Sequence, residues 1–103
     1  MKINIDKKEN VTFITLENNK NMKVVLSTFG ASFYDLRLPN KNNKVESIIL
    51  TPKKLDDFYY SDGYYGKSVG RFSGRIDKAK CEINGIEYVL DKNWNGINSL
   101  HGG

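Results

Sequence analysis

Asn84-Gly85 lies between two short runs in which apolar and polar residues alternate, Lys78-Ala79-Lys80-Cys81-Glu82-Ile83 and Ile86-Glu87-Tyr88-Val89-Leu90. A two-residue connection of this kind favours a type I′ turn, whose central residues both take positive φ, and asparagine followed by glycine meets that demand. The turn then sets the register. Ile83 falls opposite Ile86, Cys81 opposite Tyr88 and Ala79 opposite Leu90, all on one apolar face turned to the core, while Glu82 and Glu87 share the wetter face.

The same period of two runs through the first half of the chain. Residues 11–16, VTFITL, are β-branched and aromatic and predict a strand. The polar cluster at 17–21 turns the chain into a second strand at 22–28. Gly30 punctuates, a third strand covers 32–38, residues 39–44 form a loop by composition, and 45–50 give a fourth strand. Thr51-Pro52 offers an N-cap and a proline at the first helical position, which predicts a short helix at 53–59. Many short strands with at most one short helix imply an all-β, antiparallel architecture. With no internal repeat and no linker, residues 1–103 form one domain or a part of one.

Several classes of function are disfavoured by composition. The net charge is +4, but the lysines are scattered through asparagine-rich turns rather than gathered on one face, so nucleic acid is not the expected partner. No apolar run approaches the roughly 20 residues that span a bilayer, and residues 1–8 lack the apolar stretch of a signal peptide. The expected location is cytoplasmic, with no membrane partner, and the Asn10-Val11-Thr12 glycosylation match is idle there. Cys81 is the only cysteine and His101 the only histidine, so neither an internal disulfide nor a metal site of ordinary spacing is predicted.

Between residues 58 and 76 the alternation lapses into FYYSDGYYGKSVGRFSGRI, with glycines at 63, 66, 70 and 74. Four glycines at about 1 kcal/mol each exclude a helix. Gly66-Lys67-Ser68 ends like a phosphate-binding loop, but Ser61 stands where that motif needs its first glycine. A long glycine-punctuated loop rich in aromatics points to function. In extended backbone Arg71 and Arg75 project to one side, and two roles suit them: oriented binding of hydroxyls or a carboxylate, or pairing with a structural acid such as Asp77 or Glu82. Tyr64 and Tyr65 are either a wall for a sugar face or packing residues. The last residues, Asn98-Ser99-Leu100-His101-Gly102-Gly103, set a histidine before two glycines, where other backbone can approach closely.

Taken in order, these motifs resemble the aldose 1-epimerase family. The resemblance rests on Gly30-Ala31 leading into a strand that ends at Leu38-Pro39, on Ile48-Ile49-Leu50, on Tyr64-Tyr65-Gly66, on the run Val69-Gly70-Arg71-Phe72-Ser73-Gly74-Arg75-Ile76, on the hairpin, and on the closing Asn98-Ser99-Leu100-His101-Gly102-Gly103. It implies an antiparallel β-sandwich of the galactose-mutarotase type, of which residues 1–103 are an N-terminal portion. It also implies interconversion of the α and β anomers of galactose, glucose and related free aldoses, in hexose metabolism, with no cofactor and no metal. In that family a glutamate takes the anomeric proton and a histidine protonates the ring oxygen; both lie beyond Gly103, so the 103-residue chain alone is expected to be inactive. The substrate-binding arginine maps onto Arg75, and the histidine of the His-Gly-Gly turn, beside the sugar ring, maps onto His101 as the catalytic-site and substrate-binding residue. Arg71 matches a structural arginine. Gly74 replaces a sugar-contacting asparagine, so a contact there falls to backbone or is lost. Two other readings are a sugar-phosphate epimerase, with Lys67 as the phosphate cation, and a non-catalytic carbohydrate-binding module.

Overall fold

A computed structural model describes all of residues 1–103, which divide into two compact units, Met1–Ser68 and Val69–Gly103. In the first unit β1 (Lys2–Lys8), β2 (Val11–Glu17), β3 (Lys23–Ser27), β4 (Ser32–Pro39) and β5 (Val45–Ser47) form one antiparallel sheet in chain order, followed by a single helical turn and a half, α1 (Leu55–Tyr60). The second unit holds two ribbons. One pairs β6 (Arg75–Ile76) with β9 (Ser99–Leu100), and the other pairs β7 (Lys80–Ile83) with β8 (Ile86–Val89). No helix is long and apolar enough to cross a membrane.

Two of the asparagine-rich loops use the same device. The Asn18 side-chain oxygen accepts from the Lys20 and Met22 amides at 2.8 and 3.0 Å, and Asn21 takes φ +60°. The Asn40 side chain accepts from Asn42 and Lys44 at 2.9 and 3.1 Å, and Asn43 takes φ +59°. Asparagine serves both positions because its short amide mimics a backbone carbonyl and tolerates the left-handed region.

The sheet carries a bulge where β3 meets β4: Val25 pairs with Asp35 but Leu26 with Phe33. Tyr34 is the extra residue, and its ring meets Phe13 at 5.1 Å and Phe58 of α1 at 4.9 Å, both edge-on. Phe58, 2% exposed, seals this face of the sheet. Asp35, also buried, receives hydrogen bonds from Arg37 Nε at 2.6 Å and from the Ser47 hydroxyl at 2.8 Å. Burial pushes the Asp35 carboxyl up, but those two bonds, the Arg37 charge and the Leu36 amide outweigh it and hold it below the ordinary value.

The opposite face is apolar and uncovered. Register puts Ile3, Leu16, Val24 and Leu36 in one row and Ile5, Ile14, Leu26 and Phe33 in the next. Ile3 and Ile5 are 60% exposed and Phe33 53%. An open apolar hollow of about 430 Å³ lies beside them, lined by Phe33, Leu36, Ile49, Leu50 and Tyr65.

Several expectations change. β1, a seven-residue edge strand, was not legible, because two isoleucines give too short an alternation among lysines. β5 ends at Ser47, although the Ile48 amide still reaches the Leu36 carbonyl at 2.9 Å. Thr51 does not cap α1. Its hydroxyl donates to the Tyr34 carbonyl at 2.8 Å, and the helix starts at Leu55 with Asp56 and Asp57 in its first turn, where carboxylates favour the N-terminal dipole. The Asn84-Gly85 hairpin has the expected register, Ile83 with Ile86 and Cys81 with Tyr88, and the Leu90 amide reaches Ala79 at 2.8 Å. Its apolar face is not core, however: Ile83, Ile86 and Tyr88 are exposed and only Ala79 is buried. A two-stranded ribbon has no second layer of its own to bury a face.

Two outcomes follow for solution behaviour. The chain binds a hydrophobic dye, and the double variant Ile5→Lys, Phe33→Lys binds much less dye at unchanged melting temperature; equal dye binding would mean that the uncovered sheet face is not the site. Because the Asp35 pKa is depressed on folding, its stabilisation is present above about pH 4 and is lost as pH falls through the folded pKa. Asp35→Ala therefore costs about 1–2 kcal/mol near neutral pH in a denaturant titration, and the gap between variant and parent closes toward pH 2.

Candidate functional site

The β6–β9 ladder pairs Arg75 with Leu100 and Ile76 with Ser99. Antiparallel pairing therefore brings the residue before β6, Gly74, beside the residue after β9, His101. They are joined twice. The His101 amide donates to the Gly74 carbonyl at 3.0 Å, and the Gly74 amide donates to His101 Nδ1 at 3.1 Å. Since Nδ1 accepts, the neutral imidazole carries its proton on Nε2. All three residues at this corner leave the extended region, Gly74 at φ +79°, His101 at φ +55° and Gly102 at φ +92°. A Cβ on Gly102 would run into the Gly70 carbonyl, so glycine is required there for space as well as conformation. At Gly74 nothing lies within 4 Å of such a Cβ, and only the positive φ is demanding.

The segment between the ribbons holds the corner in place. Asn93 brackets Leu100: its Nδ2 donates to the Leu100 carbonyl at 2.7 Å, and its Oδ1 accepts from the Leu100 amide at 2.7 Å. Asn95 and Gly96 take φ +53° and +64°, turning the chain so that Trp94 bridges to Asn98. The turn carries the Trp94 ring beneath the Arg75 guanidinium, 4.3 Å from the ring centroid, within cation–π range. Ser99 is 1% exposed and its hydroxyl has no hydrogen-bond partner.

Arg75, Gly74 and His101 are thus assembled by one short ladder. Arg75 lies over Trp94 and pairs with neither Asp77 nor Glu82; the ion pairs of the chain are Asp6–Lys8, Asp35–Arg37, Lys44–Glu46 and Lys80–Glu87. Arg71 is exposed and outside any strand. The extended run expected to align Arg71 with Arg75 does not form, because residues 69–74 are irregular and Gly74 is left-handed. The first part of the glycine-rich segment is structural. The Gly66 carbonyl accepts from the Phe33 amide at 2.9 Å, and a Cβ on Gly66 would strike the Phe33 carbonyl. Tyr65 lines the apolar hollow of the first unit, and Tyr64 is 37% exposed. Sequence reasoning missed Asn93 and Trp94, although Asn95-Gly96 repeats the Asn-Gly signal of the hairpin. No group of three His, Cys, Asp or Glu side chains gathers to hold a metal ion.

Comparison with known proteins gives one result throughout. The sequence model of aldose 1-epimerase matches residues 12–103. The aldose 1-epimerase of Streptococcus thermophilus is 34% identical over 93 residues, 90% of this chain and 26% of that protein, and the galactose mutarotase of Bos taurus is 32% identical over 82 residues, 80% and 24% of the two. Among solved structures, a GalM/aldose epimerase homologue from C. elegans superposes with a TM-score of 0.73 at 33% identity, over 88% of this chain and 28% of that one. A galactose 1-epimerase from Lactobacillus acidophilus gives 0.69 at 27% identity, over 99% and 30%. The antiparallel fold is theirs, and the chain spans about a quarter of the length of the curated relatives it matches.

Three substitutions separate the demands on this corner. Gly74→Asn is tolerated within about 1 kcal/mol, since only φ is at stake and asparagine accepts it. Gly102→Ala costs more and displaces His101, because backbone must move. Ser99→Ala is neutral or stabilising by up to about 1 kcal/mol, since it removes a buried hydroxyl that bonds to nothing. Thermal melts of the three variants check the order.

Proposed function

Because the chain belongs to the aldose 1-epimerase family, we propose that it carries part of the sugar-binding site of an enzyme that interconverts α and β anomers of a free aldose of the galactose or glucose type, in hexose metabolism in the cytoplasm. The observation that carries this reading is the double hydrogen bond between Gly74 and His101 at the end of the strand that presents Arg75. His101 carries its proton on Nε2 and Arg75 brings a rigid fork of donors, while a polyhydroxylated ring is an array of acceptors. Gly74 contributes to the site through its backbone, by fixing His101, rather than through a side-chain contact with the sugar.

Anomer exchange needs a base to take the proton of the anomeric hydroxyl and an acid to protonate the ring oxygen, after which C1 becomes a carbonyl, turns and is attacked again from its other face. We assign these two roles to the part of the relatives' length that this chain does not span. Arg75 and His101 then orient the sugar and stabilise the charge that shifts onto its oxygens as the ring opens. No step calls for a cofactor or a metal.

Lys67 weighs against a sugar-phosphate substrate. Its ammonium lies 5.1 Å from the Phe29 ring centroid and 5.2 Å from that of Phe58, and burial lowers its pKa. A cation held between aromatic faces is poorly placed to meet a phosphate dianion.

Trp94 is the only tryptophan, so its emission reports on the adjoining Arg75. Titration of galactose into the 103-residue chain is expected to change that emission, and Arg75→Ala and His101→Ala are expected to abolish the change. In polarimetry the chain leaves the mutarotation of pure α-galactose near its uncatalysed rate, since positioned acid–base groups contribute roughly 10²–10⁴-fold and are assigned elsewhere. In a protein of the relatives' full length, Arg75→Ala and His101→Ala each lower kcat/KM by about 10²-fold or more. Undiminished turnover in both variants would overturn the site, and brisk catalysis by the 103-residue chain would overturn the assignment of the acid and base.

A further inference from the structure

We infer that the sheet of the first unit holds a separate small-ligand site, on the face that α1 packs against, and that the site takes a single neutral, polyhydroxylated ring. Alternation along β1 puts Asn4, Asp6 and Lys8 on one side of the strand, and pairing with β2 sets Asn4 opposite Thr15 and Asp6 opposite Phe13. Thr15 is in turn opposite Val25 of β3. These side chains line a hollow of about 220 Å³, which Tyr34 of β4 and Leu55 of α1 complete. It shares no residue with the apolar hollow beside Phe33 on the uncovered face.

Size and charge select the ligand. The volume lies below the range of roughly 300–1,000 Å³ that drug-sized molecules occupy, so one small ring fits and a nucleotide does not. The two charged groups of the lining face each other, with Lys8 Nζ 3.8 Å from an Asp6 carboxylate oxygen. An anion drawn to Lys8 is repelled by Asp6, and a cation drawn to Asp6 is repelled by Lys8. A neutral ligand uses both without separating them. The remaining polar groups, the Asn4 amide and the Thr15 hydroxyl, have no partner within the protein. Asp6 only accepts, Lys8 only donates, and Asn4 and Thr15 do both. Hydroxyl groups, each a donor and an acceptor, can pair with every one of them. Phe13 and Val25 supply the apolar surface that the C–H face of such a ring requires, and Lys8 Nζ lies 5.8 Å from the Phe13 ring centroid, on the same side. The polar groups stand on strands whose register is fixed over seven β1–β2 pairs, so little order has to be gained on binding.

Galactose serves as the probe, titrated into the full 103-residue chain while the backbone amides of Thr15 and Val25 are followed in ¹H–¹⁵N spectra. The parent is expected to show saturable shifts at both, with a dissociation constant on the order of millimolar, as suits so small a ligand. The same shifts are expected in Arg75→Ala, because nothing in this site involves the second unit. Thr15→Val and Asp6→Ala are each expected to weaken binding by about fivefold, the loss of one hydrogen bond. Asp6 is an exposed edge-strand residue, so its variant keeps the fold even if Thr15→Val does not. Galacturonate, and galactosamine protonated at mildly acidic pH, are expected to bind more weakly than galactose. Absence of a saturable shift overturns the inference, as does undiminished binding in Asp6→Ala or tighter binding of either charged sugar. A response at Thr15 with silent Trp94 emission strikes the function proposed above and leaves this site standing; the reverse strikes this site alone.

Discussion

The candidate site depends on two hydrogen bonds between one pair of residues, Gly74 and His101, and on the left-handed backbone that lets both form. A ladder of two-residue strands would ordinarily fray. Here the end that carries Arg75 and Leu100 is closed: the imidazole of His101 returns to Gly74, just before β6, and Gly102 follows with a conformation and a clearance that exclude any side chain. Arg75 lies within this ladder, so the direction of its guanidinium is set by the same closure and by the Trp94 ring beneath it. Orientation, which catalysis by positioning requires to within a fraction of an ångström, comes here from backbone geometry more than from side-chain packing.

The five-stranded sheet obeys a different economy. Its turns are made by asparagine side chains standing in for backbone, its bulge aims Tyr34 at Phe13 and Phe58, and one face is sealed by α1. The other face presents two rows of aliphatic and aromatic residues that water still reaches. Sheets of this type are stable as one layer of two, and the solved relatives are more than three times as long as the part this chain matches. An apolar sheet face left half-exposed lowers the free-energy gap between the folded chain and associated states.

How much of this was legible in the sequence differs from element to element. β2, β3, β4 and the Asn84-Gly85 hairpin were readable because alternation and turn chemistry agree there, and local agreement of that kind survives whatever packs around it. β1 and β9 were not, because strands with two apolar residues, or of two residues altogether, leave no period to read; they exist through their partners. The apolar face of the hairpin was identified correctly and its burial was not, since alternation says which side is apolar and says nothing of whether a layer covers it. Gly74, Arg75 and His101 were named from their motifs. That they meet was hidden, because the closure spans 27 residues and runs through a backbone amide and a ring nitrogen, for which sequence has no letter. Trp94 was concealed by expectation: an arginine near acids suggests an ion pair, yet the second Asn-Gly turn places an indole there first.

Gly66, Gly74 and Gly102 make different demands, two of them for space as well as conformation and one for a rare φ alone. Gly66 and Gly102 back directly onto carbonyls, of Phe33 and Gly70, so no other residue fits without moving backbone. Gly74 has open surroundings and needs φ +79° alone, a demand that asparagine also meets. The position beside Arg75 can therefore exchange glycine for asparagine without disturbing the strand pair that holds His101, because the two hydrogen bonds to His101 use only the Gly74 amide and carbonyl. A side chain there would add an amide to this corner while the scaffold stayed as it is. The chemistry at residue 74 can thus vary independently of the geometry at residue 101, and a site whose frame is made of backbone is the kind in which such independence arises.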